Sequence, residues 1–504
     1  MRSMLIKWAP FKSAPFKSVG LATAFLLAGC GSEPSTTPPK LAPDAGYAPI
    51  GAPTIPSVGA AGPDQHFVVG KEISGQWWGL FKSPALDTLI TQAVAGNRNL
   101  AAAQANLAAS HEAVLVAAGG LYPQVDFNAS VERQRNNFQA FGIQLFPPKE
   151  FNTYSLGPTV SYNFNPAGPR RHEVERLQAL EDFQNHELKA AYLTLTGSAV
   201  TEAITIASLN AQIKAVNDML ADDQTNLKLV QNLVTAGAGT DLDIQTANAQ
   251  LASDRTLLPP LRQQMSVAQH ALAVIVGKTP SNWQAPDFAL EQMTLPTEMP
   301  VSLPSALVRQ RPDILESEAQ FRAGAAEVGV ADAALYPQFT LTADVMQTFL
   351  KPERIFDPLS NVWAIAANMA APIFHGGSLQ AQKREALDAY DAGVATYEQT
   401  VLSAFGQVAD MLDALAHDAE QLSAEQTAAQ AAGSTVDLTR KSFQLGNATL
   451  LQVLDAQRQL QQARLGLARA EAQRYLDSAQ LFVALGGGWW NQPPGAAALT
   501  KSPS

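Results

Sequence analysis

Apolar residues recur at helical spacing through two very long stretches of the chain, 170–235 and 378–445, and neither stretch contains proline. In the second stretch these positions lie three and four residues apart, which is the seam of a coiled coil. They are Leu387, Tyr390, Val394, Tyr397, Val401, Phe405, Val408, Leu412 and Leu415. At about 1.5 Å per residue each helix could extend for about 100 Å, whereas helices of globular domains average about a dozen residues. The pattern therefore predicts two rod-like helices that pack beside others.

Four shorter stretches alternate between apolar and polar residues, as strands with two different faces do. They lie at 124–132, 154–165, 338–347 and 361–373, and the last alternates less clearly. Runs of about ten residues match the length of a tilted strand that crosses an outer membrane. A soluble sheet with one buried face is the alternative interpretation of the same alternation.

The chain contains one structural unit twice. Leu121-Tyr122-Pro123-Gln124 recurs as Leu335-Tyr336-Pro337-Gln338, and glycines precede both long helices and close both units. Each unit is predicted to run helix, strand, strand, long helix, medium helix. The predicted limits are 76–277 for repeat 1, 304–488 for repeat 2, 241–276 and 450–485 for their medium helices, and 278–303 for the joining segment. The predicted fold class is mainly α with membrane β, internally duplicated.

Residues 1–29 have the form of a lipoprotein signal peptide, with basic residues, a short apolar run and small residues directly before Cys30. Small side chains suit the cleavage site, and the thiol of Cys30 would receive the lipid. An ordinary signal peptide that happens to contain a cysteine is the alternative. Residue 31 is Gly, not the Asp that favours inner-membrane retention, which indicates the outer membrane. Residues 30–75 would form an extended tether, and 489–504 a loose tail.

Composition excludes several classes of function. The formal net charge is -11, and an acidic chain of this kind is a poor binder of nucleic acid. Cys30 is the only cysteine, which argues against structural disulfides. The sequence has no metal-ligand spacing of histidines, no phosphate-binding glycine loop and no nucleophile elbow. We therefore expect no enzyme activity, no metal and no cofactor other than the covalent lipid on Cys30.

Four membrane strands cannot close a barrel, and an open sheet edge in lipid would leave backbone groups unpaired. Two chains would supply eight strands and three would supply twelve. The strand count therefore predicts an oligomer.

These features together resemble the outer membrane efflux proteins, the TolC-like channels, and most closely their OprM/NodT-type lipoprotein branch. The residues that carry the resemblance are Trp77-Trp78, 97–107, Leu121-Tyr122-Pro123, Arg309-Gln310-Arg311-Pro312-Asp313-Ile314, Pro372-Ile373-Phe374-His375-Gly376-Gly377 and Leu454-Asp455-Ala456-Gln457. The resemblance implies a homotrimer with a twelve-stranded β-barrel in outer membrane lipid, above a periplasmic α-helical barrel. It also implies two partners, a periplasmic adaptor (membrane fusion protein) and an inner-membrane RND pump, and a passive exit duct for small toxic compounds.

The resemblance further implies positions for a periplasmic gate. Asp455 fits an acidic ring at the constriction, with Leu451 one helical turn below it. Asp243 fits the acidic position of repeat 1, although Asp241 competes with it as the lumen-facing acid or as a helix cap. Gly237 and Gly446 would lie at the two hairpin tips that dock the adaptor; they are also simple turn glycines.

Two other functions are compatible with parts of the pattern. A duct for exported polypeptides, as in type I protein secretion, would have a similar pore sequence, although the lipid anchor favours efflux. A structural coiled-coil lipoprotein of the envelope would need no amphipathic strands, and it would show no ion conductance in planar bilayers.

Overall fold

The computed structural model describes residues 34–39, 47, 65–136 and 149–491. Cys30, the signal peptide and residues after 491 lie outside the described residues. The helices are α1 Pro84–Gly96, α2 Arg98–Gly119, α3 Pro169–Thr235, α4 Asp241–Arg255, α5 Leu258–Ile275, α6 Pro304–Leu307, α7 Pro312–Ala333, α8 Ser378–Gln444 and α9 Leu450–Ala484. The strands are β1 His66–Val69, β2 Gln124–Asn136, β3 Lys149–Phe164, β4 Glu298–Val301, β5 Gln338–Phe349 and β6 Asn361–Ala370. The mainly helical, duplicated fold with a small sheet is therefore confirmed.

The two long helices, α3 and α8, are each 67 residues long. Each begins directly after a glycine in the left-handed conformation, Gly168 with φ +68° and Gly377 with φ +82°. This conformation lets the chain turn sharply from the sheet into the helix, and it favours glycine because a Cβ is disfavoured there.

The four-stranded sheet is antiparallel throughout and has the order β2-β3-β5-β6. Its strands differ from the predicted limits: β2 extends to Asn136, β3 begins at Lys149, β5 ends at Phe349 and β6 ends at Ala370. The first three are longer than the alternation predicted, because ladder hydrogen bonds continue where the apolar pattern fades. β2 and β6 form the two edges of the sheet.

The helices form a layer in the same order as the strands. α3 packs against α2, α4 and α5 on one side and against α7 and α9 on the other, and α8 packs against α7 and α9. The two outer positions of the layer therefore belong to α2, α4 and α5 at one end and to α8 at the other. Repeat 1 contributes one open edge of the sheet, β2, and the outer helices α2, α4 and α5. Repeat 2 contributes the other open edge, β6, and the outer helix α8.

The predicted medium helix of repeat 1, 241–276, is wrong as one element, because the chain divides it into α4 and α5. Pro259 and Pro260 lie in the first turn of α5. Proline has no N–H to continue the hydrogen-bond ladder of α4, but the first turn of a new helix needs none. Repeat 2 has no proline at the corresponding place, and α9 is continuous over 35 residues.

A belt of short elements packs around the middle of the long helices. Trp77, Phe81 and Phe482 lie in its core, and the Trp77 and Phe482 rings stack at 5.4 Å between centroids. β1 pairs in parallel with β4, so the expected extended tether over 30–75 does not hold for its last residues. The expected tail also begins later than 489, because Trp489 donates its indole N–H to the Gln310 carbonyl at 2.7 Å.

Among the described residues, no helix combines the length and the apolar character that crossing a membrane would require. The same ranges contain no group of three or more histidine, cysteine or acidic side chains placed to hold a metal ion.

Candidate gate and hairpin tips

Two helical hairpins extend away from the sheet, α3 with α4 and α8 with α9, and each turns at a glycine. Gly237 has φ +76° and Gly446 has φ +77°. After α3, Gly237 N–H donates to the Val234 carbonyl and Ala238 N–H to the Leu233 carbonyl. Gly446 and the following residue repeat these bonds. Both tips are thus Schellman ends, which satisfy the last carbonyls of a helix and favour glycine. Their docking role remains a prediction.

The helices that return from the tips begin with matching capping boxes. Thr240 caps α4, and its backbone N–H and hydroxyl donate to the Asp243 carboxylate at 2.9 and 2.7 Å. These hydrogen bonds lower the pKa of Asp243. Thr449 and Gln452 form the same box at the start of α9. Asp241 is therefore not the cap, and the counterpart of Asp243 in repeat 2 is an amide rather than an acid.

Leu451 and Asp455 lie one turn apart near the start of α9, and four residues is the spacing that places side chains on one helix face. Leu451 is 67 % exposed in the single chain, whereas Leu454 is only 7 % exposed and packs inward. The Asp455 carboxylate forms an ion pair with Arg458 and accepts a hydrogen bond from Gln459 at 3.0 Å. The structure therefore places Leu451 and Asp455 one turn apart on α9 and adds the cation of Arg458 beside the acid.

Sequence reasoning did not assign two residues of this region to the gate. Arg458 lies three residues after Asp455, and that helical spacing was the available signal for an ion pair. Leu242 is exposed and follows Thr240 by two residues, just as Leu451 follows Thr449. The repeat register therefore identifies Leu242 as the counterpart of Leu451.

Two pairs of carboxyl groups are buried inside the hairpins, and the sequence analysis identified neither. Asp223 of α3 meets Asp254 of α4, and Asp418 of α8 meets Asp477 of α9. Burial, followed by the hydrogen bond and charge of the partner carboxyl, raises the pKa of Asp223 and of Asp418 to about 7. Beside the second pair, the positive charge of Arg474 acts in the opposite direction. The available signal was an acid at a seam position, since Asp223 follows Val216, Met219 and Leu220 on the buried face.

The segment Arg311-Pro312-Asp313, which we call the Arg-Pro-Asp box, lies at the junction of α7, α8 and α9. Arg311 is 7 % exposed. Its guanidinium donates twice to Asp313 at 3.0 and 2.7 Å, once to the Ala484 carbonyl at 2.8 Å and once to Gln407 at 2.8 Å. Ala484 is the last residue of α9, so the cation satisfies a terminal carbonyl and complements the helix dipole. Arg311 thereby joins the end of one helix to the start of another.

Comparison with known proteins agrees with this geometry. The model of a family described as "Outer membrane efflux protein" matches residues 89–278 and 303–487, which are the two repeats. The chain is 29 % identical over 95 % of its length to the pyoverdine export outer membrane protein OpmQ of Pseudomonas aeruginosa, covering 99 % of that protein. It is 30 % identical to the antibiotic efflux pump outer membrane protein ArpC of Pseudomonas putida, over 93 % of this chain and 95 % of the relative. The solved outer-membrane channel OprN superposes with a TM-score of 0.81 at 25 % identity, over 90 % of this chain and 100 % of that one.

Proposed function

The chain belongs to the outer membrane efflux protein family and is an efflux channel component of the outer membrane, and from this premise we propose that three copies close into one passive exit duct. The duct would receive small toxic compounds from an inner-membrane RND pump through a periplasmic adaptor, and the chain itself would perform no chemistry. The observation that carries the proposal is the open edge of both layers in one chain.

The edges support closure by further copies. Every residue of β6 is exposed, including Trp363 and Ile365, and an exposed edge strand presents unpaired backbone groups. The outer helices also expose apolar side chains: Val116 on α2, Val267 and Val274 on α5, and Leu402 and Leu438 on α8. Joining β6 to the β2 of another copy would simultaneously bring α8 against the next α2 and α5. One rotation therefore covers both sets of edges, as a cyclic oligomer requires.

Mass measurement of the detergent-solubilised protein tests the assembly. Three chains per particle are expected, because three copies supply twelve strands, enough for a water-filled interior. Replacing Val267 by aspartate at the proposed interface should reduce the trimer fraction, whereas the same change at an exposed residue of the loop between β5 and β6, such as Leu359, should not. A stable monomer with an intact sheet would contradict the proposal.

We place the periplasmic gate at Leu451 and Asp455, with Asp243 on the corresponding turn of repeat 1. Three Asp455 carboxylates around an axis would attract cations and repel one another, and low dielectric in a narrow pore would strengthen both effects. Arg458 offsets part of this charge. Single-channel recording at low salt, where screening is weakest, should therefore show reduced cation selectivity in Asp455→Ala and increased selectivity in Arg458→Gln.

Leu451→Ala is the steric counterpart and should raise conductance with little loss of selectivity. Selectivity and conductance that stay at the wild-type values in all three variants would show that this face of α9 points away from the pore.

The tips at Gly237 and Gly446 would dock the adaptor, and crosslinking of cysteines at the adjacent Ala238 and Asn447 to the adaptor would test that contact.

The lipid anchor at Cys30 is proposed from the sequence, since this residue lies outside the described part of the chain. Metabolic labelling with radioactive palmitate should mark the wild-type protein and not Cys30→Ser. Equal labelling of the two proteins would exclude the anchor, while insertion of the barrel should persist in both because its strands hold it in the membrane.

The cargo is the remaining choice, between small compounds and exported polypeptides. The names of the relatives favour small compounds, since OpmQ is named for pyoverdine export and ArpC for antibiotic efflux. Deleting the gene for this protein should increase the sensitivity of the host cells to a panel of antibiotics and solvents and leave the secreted proteome unchanged. The opposite pattern would favour a type I secretion duct.

A further inference from the structure

A buried polar layer crosses the helix bundle where the two hairpins of one chain meet. The layer consists of Asp223 and Asn226 on α3, Asp254 on α4, and Gln457 and Gln461 on α9, all less than a tenth exposed. It interrupts an apolar seam that includes Val216, Val230 and Leu460. A polar residue at a seam position costs stability unless each of its groups finds a partner.

The hydrogen bonds of this layer connect one hairpin to the other. Asn226 donates its amide to the side-chain oxygen of Gln457, and Gln461 lies within hydrogen-bonding reach of the Asp223 carboxyl. On the α4 side, Gln250 donates to Asp254 at 2.8 Å. Asp223 and Asp254 lie within hydrogen-bonding reach of each other. The carboxyl pair is therefore one polar contact between α3 and α4, and the glutamines extend it to α9.

Two buried polar atoms of the layer have no hydrogen-bond partner among the described residues, Gln457 Nε2 and, when both acids are ionised, Asp223 Oδ2. Asp223 Oδ2 is buried and accepts no hydrogen bond from the described residues. Two adjacent buried carboxylates also repel each other. A single proton held between Asp223 and Asp254 removes both costs, because it supplies the O–H donor and halves the charge.

The surrounding charges do not replace that proton. On α3 the adjacent Asp222 adds a further negative charge, and Arg440 of α8 is engaged with this Asp222 at 3.6 Å. From α9 the two glutamines that face the pair are neutral. Burial together with the neighbouring acids raises the pKa of Asp223 to about 7, so the proton would be exchanged near neutral pH.

We propose that Asp223 and Asp254 form a proton-binding site that holds the two hairpins together, and that loss of the shared proton loosens the layer. Asp223 lies fourteen residues before Gly237, or about 20 Å above the tip, so loosening the layer would release the hairpin ends. A role in opening the duct rests on the proposed function; the proton binding itself concerns contacts within one chain.

Hydrogen–deuterium exchange of the full-length protein in detergent tests this site. Opening the layer releases the shared proton at any pH at which the closed layer holds this proton and the open layer does not. After correction for intrinsic exchange, opening within 216–230 and 453–461 should rise about tenfold per pH unit from about pH 5 to pH 7 and then level off. In Asp223→Asn the amide replaces the shared proton as donor, so the rise should disappear. Asp254→Asn tests the same point if the first variant fails to assemble.

Asp218→Asn is the matched control, because it removes an exposed acid from the same helix and should keep the wild-type pH profile. Infrared spectra should show a protonated carboxyl band at pH 6 that is weaker in Asp223→Asn than in the wild type, because the Asp418 carboxyl keeps its own raised pKa. A wild-type layer with pH-independent exchange, or an unchanged profile in both asparagine variants, would overturn the proposal. Neither result depends on the number of chains in the duct, so failure of the site and failure of the trimer are distinguishable.

Discussion

Replacing Arg311 by alanine should destabilise the junction of α7, α8 and α9 more than any other single loss of charge in the Arg-Pro-Asp box. The guanidinium makes four hydrogen bonds and is almost fully buried. Asp313 and Gln407 are partly exposed, so water can replace the arginine there. The Ala484 carbonyl is at a buried helix end and would lose its donor.

The expected cost follows from that distinction. An unsatisfied buried carbonyl costs about 1–3 kcal/mol, and removal of the buried arginine stem adds about 1 kcal/mol. The Asp313 ion pair contributes little, because pairs with an exposed partner are worth less than about 1 kcal/mol. We therefore expect Arg311→Ala to lower the free energy of unfolding by about 2–4 kcal/mol per chain. Arg311→Lys should lose about half as much, because a lysine keeps one charged donor but not the planar fork.

Thermal unfolding followed by circular dichroism, with identical detergent and scan rate, would measure this order. Arg309→Ala is the control, since Arg309 is exposed two residues away and surface changes usually stay within about 0.5 kcal/mol. The reasoning predicts the order Arg309→Ala, Arg311→Lys, Arg311→Ala from most to least stable. Equal unfolding temperatures for Arg311→Ala and Arg309→Ala would refute it.

Three further predictions concern other parts of the chain. The Asp418 carboxyl, buried against Asp477, has its pKa raised from 3.8 to about 7. The folded chain therefore binds an extra proton, and the free energy of unfolding should fall as pH rises from about 4 to about 7. Asp418→Asn should make this fall less steep in pH-dependent melts, although Asp223 still contributes to it, and a slope equal to the wild type would refute the assignment. Gly157→Ala should prevent assembly of the barrel, because a Cβ on β3 would overlap the Val345 carbonyl of β5; normal yields of heat-resistant trimer would contradict this. Gly446→Ala should increase hydrogen exchange at the second tip about 5- to 30-fold, since the left-handed conformation costs a side chain about 1–2 kcal/mol, and Gly446→Asn should do so less.

Periodicity was sufficient for the long helices, and the recurring Leu-Tyr-Pro-Gln segment with its glycines was sufficient for the duplication. The predicted ends of α3 and α8 differ from the observed ones by a single residue, because each helix carries an apolar seam along most of its length and is bounded by glycines. The sequence also predicted where the tips turn, since Gly237 and Gly446 are local requirements of a Schellman end. Local signals of this kind depend only on residues a few positions apart along the chain, so they can be identified from the sequence.

Contacts between distant segments could not be obtained in this way. The break between α4 and α5 was visible in Pro259 and Pro260 but was outweighed by the helical period around them. The cap at Thr240, which uses the carboxylate of Asp243, competes with the gate role that the resemblance implied. The pairing of Asp223 with Asp254 and of Arg311 with the Ala484 carbonyl depends on which helix faces lie together. A one-dimensional pattern marks a seam position as buried, but only the packed bundle decides which side chain it meets, and that partner determines whether an acid is ionised, paired or protonated.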